Sequence, residues 1–256
     1  MKKVEIGSVA ILDMVSLPEY GILIADYNKR LIVLDFNNLS VKTDEILLEG
    51  KPYGIAVISD HVVGISIGHT QIMTLDMRTK VPTRNTHAVA DAGTQLWGLT
   101  YIEGDFFIAA KDKIVRTKEN VSQYNDILCI PNGCIFYLQI HDRKLFFTDY
   151  KDKSFQCTTL TGEKLFKYQN TLLDGPYGFT RFTDASFYVS DWLSDKVLKI
   201  TCKTDEIIES EILLVKGDGI FKPRVVLYEE KHKFLLIACY GGQQLLQTKQ
   251  RISLTV

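Results

Sequence analysis

Residues able to do chemistry recur at fixed places in this chain. Asp26, Asp149 and Asp191 each close a short apolar run and precede an aromatic residue, in Leu23-Ile24-Ala25-Asp26-Tyr27, Phe146-Phe147-Thr148-Asp149-Tyr150 and Tyr188-Val189-Ser190-Asp191-Trp192, with Leu236-Ile237-Ala238-Cys239-Tyr240 as a variant. A carboxylate at a tight polar turn can ligate a cation, but its commoner role is to accept hydrogen bonds from the N–H groups of its own turn, and capping is expected here. Zinc would need three or four converging His, Cys or carboxylate ligands. His61, His141 and His232 fall on one kind of polar turn, His69 on another and His87 in a strand-like segment, so convergence is not expected. Calcium of the hydrolase kind would need carboxylates or amides at the start of several inner strands, where Asp13 is the one candidate. No Gly-x-Ser-x-Gly run marks a nucleophile. Neither a catalytic residue nor a metal or other cofactor is expected.

The elements that must position these residues repeat as well. An aromatic-Gly-apolar triplet occurs in Pro52-Tyr53-Gly54-Ile55, Leu96-Trp97-Gly98-Leu99 and Pro176-Tyr177-Gly178-Phe179, with glycine spacings of 98 − 54 = 44 and 178 − 98 = 80. The aspartates keep the same period, since 149 − 26 = 123 and 191 − 149 = 42. Each unit of this length holds three or four segments rich in branched and aromatic residues, separated by hairpin-length turns. In the second unit these are residues 54–58, 62–67, 71–76 and 87–90. No stretch sustains a helical period. Six such units fit the chain, at about 10–50, 51–93, 94–133, 134–175, 176–219 and 220–256, and four-stranded meanders of that period form the blades of a β-propeller. The expectation is an all-β, single-domain, six-bladed propeller. Runs such as Phe106-Phe107-Ile108 and Phe234-Leu235-Leu236-Ile237 suit inner strands buried on both faces. The ring must close with a terminal strand: Lys3-Val4-Glu5-Ile6 is favoured, with Ile252-Ser253-Leu254-Thr255-Val256 as the alternative.

Composition bounds the function. Hydrophobic residues make up 46% and charged residues 24% of 256, which suits a folded domain and not a disordered one. No apolar run approaches the roughly 20 residues of a membrane span, and the basic start lacks the apolar stretch of a secretory signal. Five cysteines, none in a C-x-x-C pair, read as core thiols in a reducing compartment, so the two sequons at Asn38 and Asn120 read as chance matches. A cytoplasmic location follows as an expectation. With a net charge of −1, attraction to nucleic acid or anionic membrane must come from a local patch.

These residues resemble the NHL-repeat propellers, whose repeat runs Pro-x-Gly-aliphatic at the first strand and apolar-x-Asp before a polar turn after the second. The match is specific in residues 21–34 and 176–200 and weaker in the third and sixth units, while the second has Gly64-Ile65-Ser66-Ile67-Gly68 in place of the aspartate run. Leu145-Phe146-Phe147-Thr148-Asp149 also resembles the YWTD repeat, which belongs to extracellular modules. NHL propellers often form the C-terminal domain of tripartite-motif (TRIM) ubiquitin ligases. The resemblance therefore implies a recognition domain, without the Cys/His-dense zinc modules of the ligase.

In a propeller, the loop leading into each first strand and the turn joining second to third strands open on the same face. The first set brings Tyr53, Trp97, Tyr177 and Arg224 to that face, and the second brings Tyr27, Tyr150, Trp192 and Tyr240. Basic residues on the same turns are Lys29, Arg30, His69, Lys111, Lys113, Lys151, Lys153 and Lys196, diluted by acids such as Asp112, Asp152, Asp174 and Asp218. Aromatics interleaved with cations suit protein hot spots and single-stranded RNA. Recognition of a protein partner is the leading expectation, single-stranded RNA binding the alternative, and metal-dependent hydrolase or lyase chemistry in the channel the third.

Overall fold

A computed structural model describes residues 1–7, 9–41, 45–68, 70–86, 95–119, 124–203, 206–239 and 244–249. Its strands form six four-stranded antiparallel sheets, each a meander of sequence neighbours except the last. The inner strands, Ile11–Leu17, Pro52–Val57, Leu99–Ile102, Ile135–His141, Pro176–Thr183 and Pro223–Glu229, surround one channel. The protein is a six-bladed β-propeller. In the sixth sheet the strand Lys2–Val4 pairs with Leu245–Lys249, as Lys2 with Gln247 and Val4 with Leu245, so the N-terminal segment supplies the outermost strand and closes the ring. Residues 252–256 lie outside the described residues. The fourth strand of the second blade is Val81–Thr86, earlier than the expected 87–90, because the turn after Asp76 is a tight one in which Lys80 N bonds Asp76 O. Residues 87–90 lie outside the described residues.

The apolar residues divide into six clusters, one for each junction between neighbouring blades. The second strands show why. In Asp105–Ala110, Phe106 and Ile108 pack toward the second blade while Phe107 and Ala109 pack toward the fourth. The two-residue period of the strand therefore feeds two interfaces at once, and a continuous apolar run is what a sheet covered on both faces requires.

The triplet glycines stand where backbones of adjacent blades nearly touch. A Cβ on Gly54 would meet Trp97 O and Leu99 N at 2.7 Å, one on Gly98 would meet Phe136 O at 2.9 Å, and one on Gly178 would meet Arg224 O at 2.6 Å. Steric exclusion by the next inner strand, and not a turn conformation, selects glycine here. Substituting Gly178→Ala forces a methyl into a backbone carbonyl, and we expect a loss of about 1–3 kcal/mol of unfolding free energy. Gly217→Ala, whose Cβ would meet only Val215 Cγ2 at 3.9 Å, should change stability by less than about 0.5 kcal/mol. Parallel urea titrations check both, and equal midpoints would contradict the steric reading.

Candidate functional site

Five of the six inner strands open with a register irregularity, seen between Ile11 and Asp13, Pro52 and Gly54, Ile135 and Tyr137, Pro176 and Phe179, and Pro223 and Val225. A bulge re-aims the extra residue away from the ladder. The residues so presented, one per blade, are Leu12, Tyr53, Phe136, Tyr177 and Arg224, and Trp97 holds the matching place before Gly98. Together they form a ring about the channel mouth. Tyr53 meets Trp97 edge-on with centroids 5.2 Å apart, and Trp97 meets Phe136 likewise at 4.9 Å. Phe136 stacks on Tyr177 at 4.6 Å, and the Arg224 guanidinium carbon lies 4.8 Å from the Tyr177 centroid. Such contacts between successive rings fix their orientations.

The ring's backbone is held from the preceding blade. Ser66 Oγ donates to Trp97 O at 2.8 Å, Ser190 Oγ donates to Arg224 O at 2.9 Å, and Thr148 Oγ1 donates to Tyr177 O. All three hydroxyls are fully buried. The repeat aspartates do a second job. Asp149 Oδ1 accepts from Lys151 N and Asp152 N in its own turn and from Cys134 N, at 3.0 Å, in the loop before the first strand. Asp26 accepts likewise from Asn28 N and Ala10 N, and Asp191 from Ser194 N and Gly175 N. The expected turn-capping role holds, and each carboxylate also ties the two loops of its blade together on one face.

The second set of turns forms an outer tier. Tyr150 lies against Phe136 at 5.7 Å and Trp192 stacks on Tyr177 at 5.9 Å. Leu193 and Phe221 extend this tier, 48% and 44% exposed, with Lys222 Nζ 5.7 Å from the Trp192 centroid. Tyr27 stands farther out, exposed, with Lys51 donating to its hydroxyl. Tyr53 and Tyr177 are buried, and Trp97 and Phe136 are half-buried. Many of the cations are already paired. Arg30 bonds Asp26 and Glu45, Lys113 bonds Asp126 and Lys153 bonds Asp174. Lys29, Lys111 and Lys151 are exposed, and Lys196 is half-buried. His69 and Tyr240 lie outside the described residues. Phe136 falls outside the aromatic-Gly-apolar triplets, because Tyr137 follows it where the triplet has glycine, although the intervals 136 − 97 = 39 and 177 − 136 = 41 mark its place.

Beneath the ring, Asp13 occupies the place that glycine holds in three other blades. It is 2% exposed, and its carboxylate accepts from Met14 N and Ile55 N at 2.8 Å each. The Tyr137 hydroxyl also donates to it. Tyr137 OH in turn accepts from Gln139 Nε2 at 3.0 Å, and Gln139 Oε1 lies 2.9 Å from His141 Nε2. His141 is not on a turn, as the sequence suggested, but ends the inner strand, where residues 137, 139 and 141 share one side by the strand's period. The chain leads into a cavity of about 330 Å³ lined by all six inner strands, including Ser16, Thr100, Gln139 and Arg181. Among the described residues no group of three or more His, Cys, Asp or Glu is placed to hold a metal ion. None of their helices is long and apolar enough to cross a membrane.

No protein-family model matches the chain, and no curated protein matches it. Solved structures do. A structural-genomics protein of unknown function from Bacteroides thetaiotaomicron superposes with a TM-score of 0.73 at 14% identity, covering 96% of this chain and 71% of its own. Virginiamycin B lyase from Staphylococcus aureus gives 0.68 at 12% identity, over 95% and 97%. The Cps50 (Swd1) β-propeller domain of Myceliophteria thermophila gives 0.70 at 7% identity, over 98% and 99%. At these identities the likeness shows the fold alone.

Two titratable groups of the channel, buried Asp13 and half-buried His141, act in opposite directions. Burial pushes the Asp13 carboxyl up from 3.8 to about 7, partly offset by its two backbone donors. Burial, aided by the Arg181 charge, pushes His141 down from 6.5 to about 4. Above pH 7 the fold therefore bears an ionised Asp13 at a cost that is relieved as pH falls toward 4. His141, kept neutral in the fold, stabilises above pH 6.5, and that contribution is lost over the same acid range. An Asp13→Asn variant retains only the histidine's contribution, so its stability should fall by roughly 3 kcal/mol from pH 7 to pH 4, while the parent changes by about 1 or less. Denaturant titrations at both pH values check this, and parallel profiles for the two proteins would refute it.

Proposed function

We propose that this propeller is a non-catalytic binding platform that recognises a protein partner through its ringed face, with the ring and the tier of Tyr150, Trp192 and Tyr27 as its contact surface. The observation that carries this reading is the run Tyr53, Trp97, Phe136 and Tyr177, four large rings in mutual contact and continuous with exposed Leu193 and Phe221. Preordered aromatic clusters beside apolar side chains are what protein hot spots are made of, and exposed apolar side chains grouped on one face mark interaction surfaces. The repeat residues shared with NHL propellers support a cytoplasmic recognition domain of the kind that selects substrates for TRIM-like ligases. Single-stranded RNA needs unpaired cations tracking its phosphates, and the ion pairs of Arg30, Lys113 and Lys153 weigh against that reading.

A photo-crosslinking amino acid tests the proposal in cells. Placed at Leu193 it should give protein adducts that survive ribonuclease, and placed at Asp60, an exposed turn of the opposite face, it should give none of the same species. Adducts that vanish with ribonuclease would favour RNA. Identical adducts from both sites would defeat the reading that one face does the binding.

A further inference from the structure

Among the arginines whose side chains the structure describes, one differs from the rest. Arg30, Arg78, Arg116, Arg143 and Arg181 each have a carboxylate oxygen within ion-pair distance. Arg224 has none among the described residues, although it is half-buried. It occupies the sixth place in the ring, where four of the other blades carry an aromatic residue. Its Nη2 donates to Tyr177 OH at 2.6 Å, its guanidinium lies over the Tyr177 ring, and its Nε is buried without a partner. A guanidinium offers five N–H donors in a planar fork that matches a carboxylate, and the structure shows one of them engaged. The acidic group whose charge reaches it, Asp13, acts through space from below the ring and makes no hydrogen bond to it.

We infer that Arg224 is the seat for a carboxylate of the protein partner, an acidic side chain flanked by aromatic or aliphatic residues that lie against the ring. The inference rests on the platform reading above and names the chemistry recognised there. Tyr177 holds the guanidinium by stacking and by its hydroxyl, which leaves an edge of the fork for a bidentate pair. Trp97 and Phe136, the half-buried members of the aromatic wall, take the flanking side chains. Phosphate is the poorer fit, because a nucleic-acid backbone presents a row of charges to a ring that holds one cation.

The chain's two tryptophans, Trp97 and Trp192, both lie on this face, so their indole N–H resonances report its occupancy. The probes are the peptide Ac-Gly-Phe-Glu-Phe-Gly-NH2, its Gln counterpart and oligouridine. At millimolar concentration the Glu peptide should shift both resonances and the Gln peptide should bind at least about tenfold more weakly. Arg224→Gln should erase that preference, and Arg224→Lys, which keeps the charge without the fork, should retain part of it. Thermal melting of each variant shows whether the ring still folds, and the Glu-over-Gln preference in the parent stands on its own if a variant does not. Equal binding of the two peptides would overturn the carboxylate seat while leaving the platform intact. Shifts with oligouridine and none with the Glu peptide would overturn it in favour of phosphate, and no shift with any probe would overturn it too. The crosslinking result at Leu193 decides the platform reading independently.

Discussion

The approach of one inner-strand backbone to the next around the channel governs most of what this protein can present. At Gly54, Gly98 and Gly178 the gap leaves no room for a Cβ before the carbonyl of the following blade is struck. That closeness lets Ser66 and Ser190 reach across and bind the carbonyls of Trp97 and Arg224. The backbone before Gly98 is thereby held in place, as Thr148 holds that before Gly178, and at Tyr53 and Tyr177 the bulge turns the side chain toward the channel mouth. A ring of side chains follows from a backbone constraint, and Trp97, Tyr177 and Arg224 are each held by a hydroxyl of the preceding blade.

Where glycine is missing from that position the residue is Asp13, Tyr137 or Val225; Val225 packs at the junction of the sixth and first blades, while Asp13 and Tyr137 meet in the channel. Asp13 and Tyr137 are the two polar cases, and they find each other across it. A buried carboxylate is costly unless donors surround it. Asp13 has two backbone N–H groups and a phenol, and the Gln139 amide passes the pattern on to His141. The network replaces the close backbone contact that glycine gives elsewhere. It adds directional bonds among the first, second and fourth blades to the hydroxyl–carbonyl bonds that tie the third, fifth and sixth to their predecessors.

The architecture was legible because its cause is local and repeated. Glycine after an aromatic, and aspartate after an apolar run, each answer to a constraint that returns once per blade, so a period near 40 residues emerges from spacing. The N-terminal closure also followed, since an open ring leaves an edge that needs a partner strand. The ring's membership was harder to read. Phe136 carries no glycine after it, Leu12 is not aromatic, and the small residues Ser66, Thr148 and Ser190 are informative only once their acceptors in the next blade are known. The charge on the face was illegible for a related reason. Whether Lys153 is an available cation depends on Asp174, a residue 21 positions away on another loop, and sequence does not show which loop charges neutralise each other.

Pseudo-symmetry makes the exceptions the informative part of the site. Six equivalent positions filled alike would offer a partner six equivalent ways to sit, and no preferred one. Here four adjacent places are aromatic and in contact, one is Leu12, and one is Arg224. The apolar wall is therefore continuous along one arc and ends on a cation at its fifth-to-sixth blade boundary, next to the exposed Leu193 and Phe221. A partner that buries apolar surface along the arc gains affinity from area, which is tolerant of sequence. Its orientation is set by the one charged member, because a guanidinium held by Tyr177 rewards a carboxylate in a single direction. Under the proposed reading, affinity and register fall to different residues of the same ring, and substitutions along the arc should weaken binding without redirecting it.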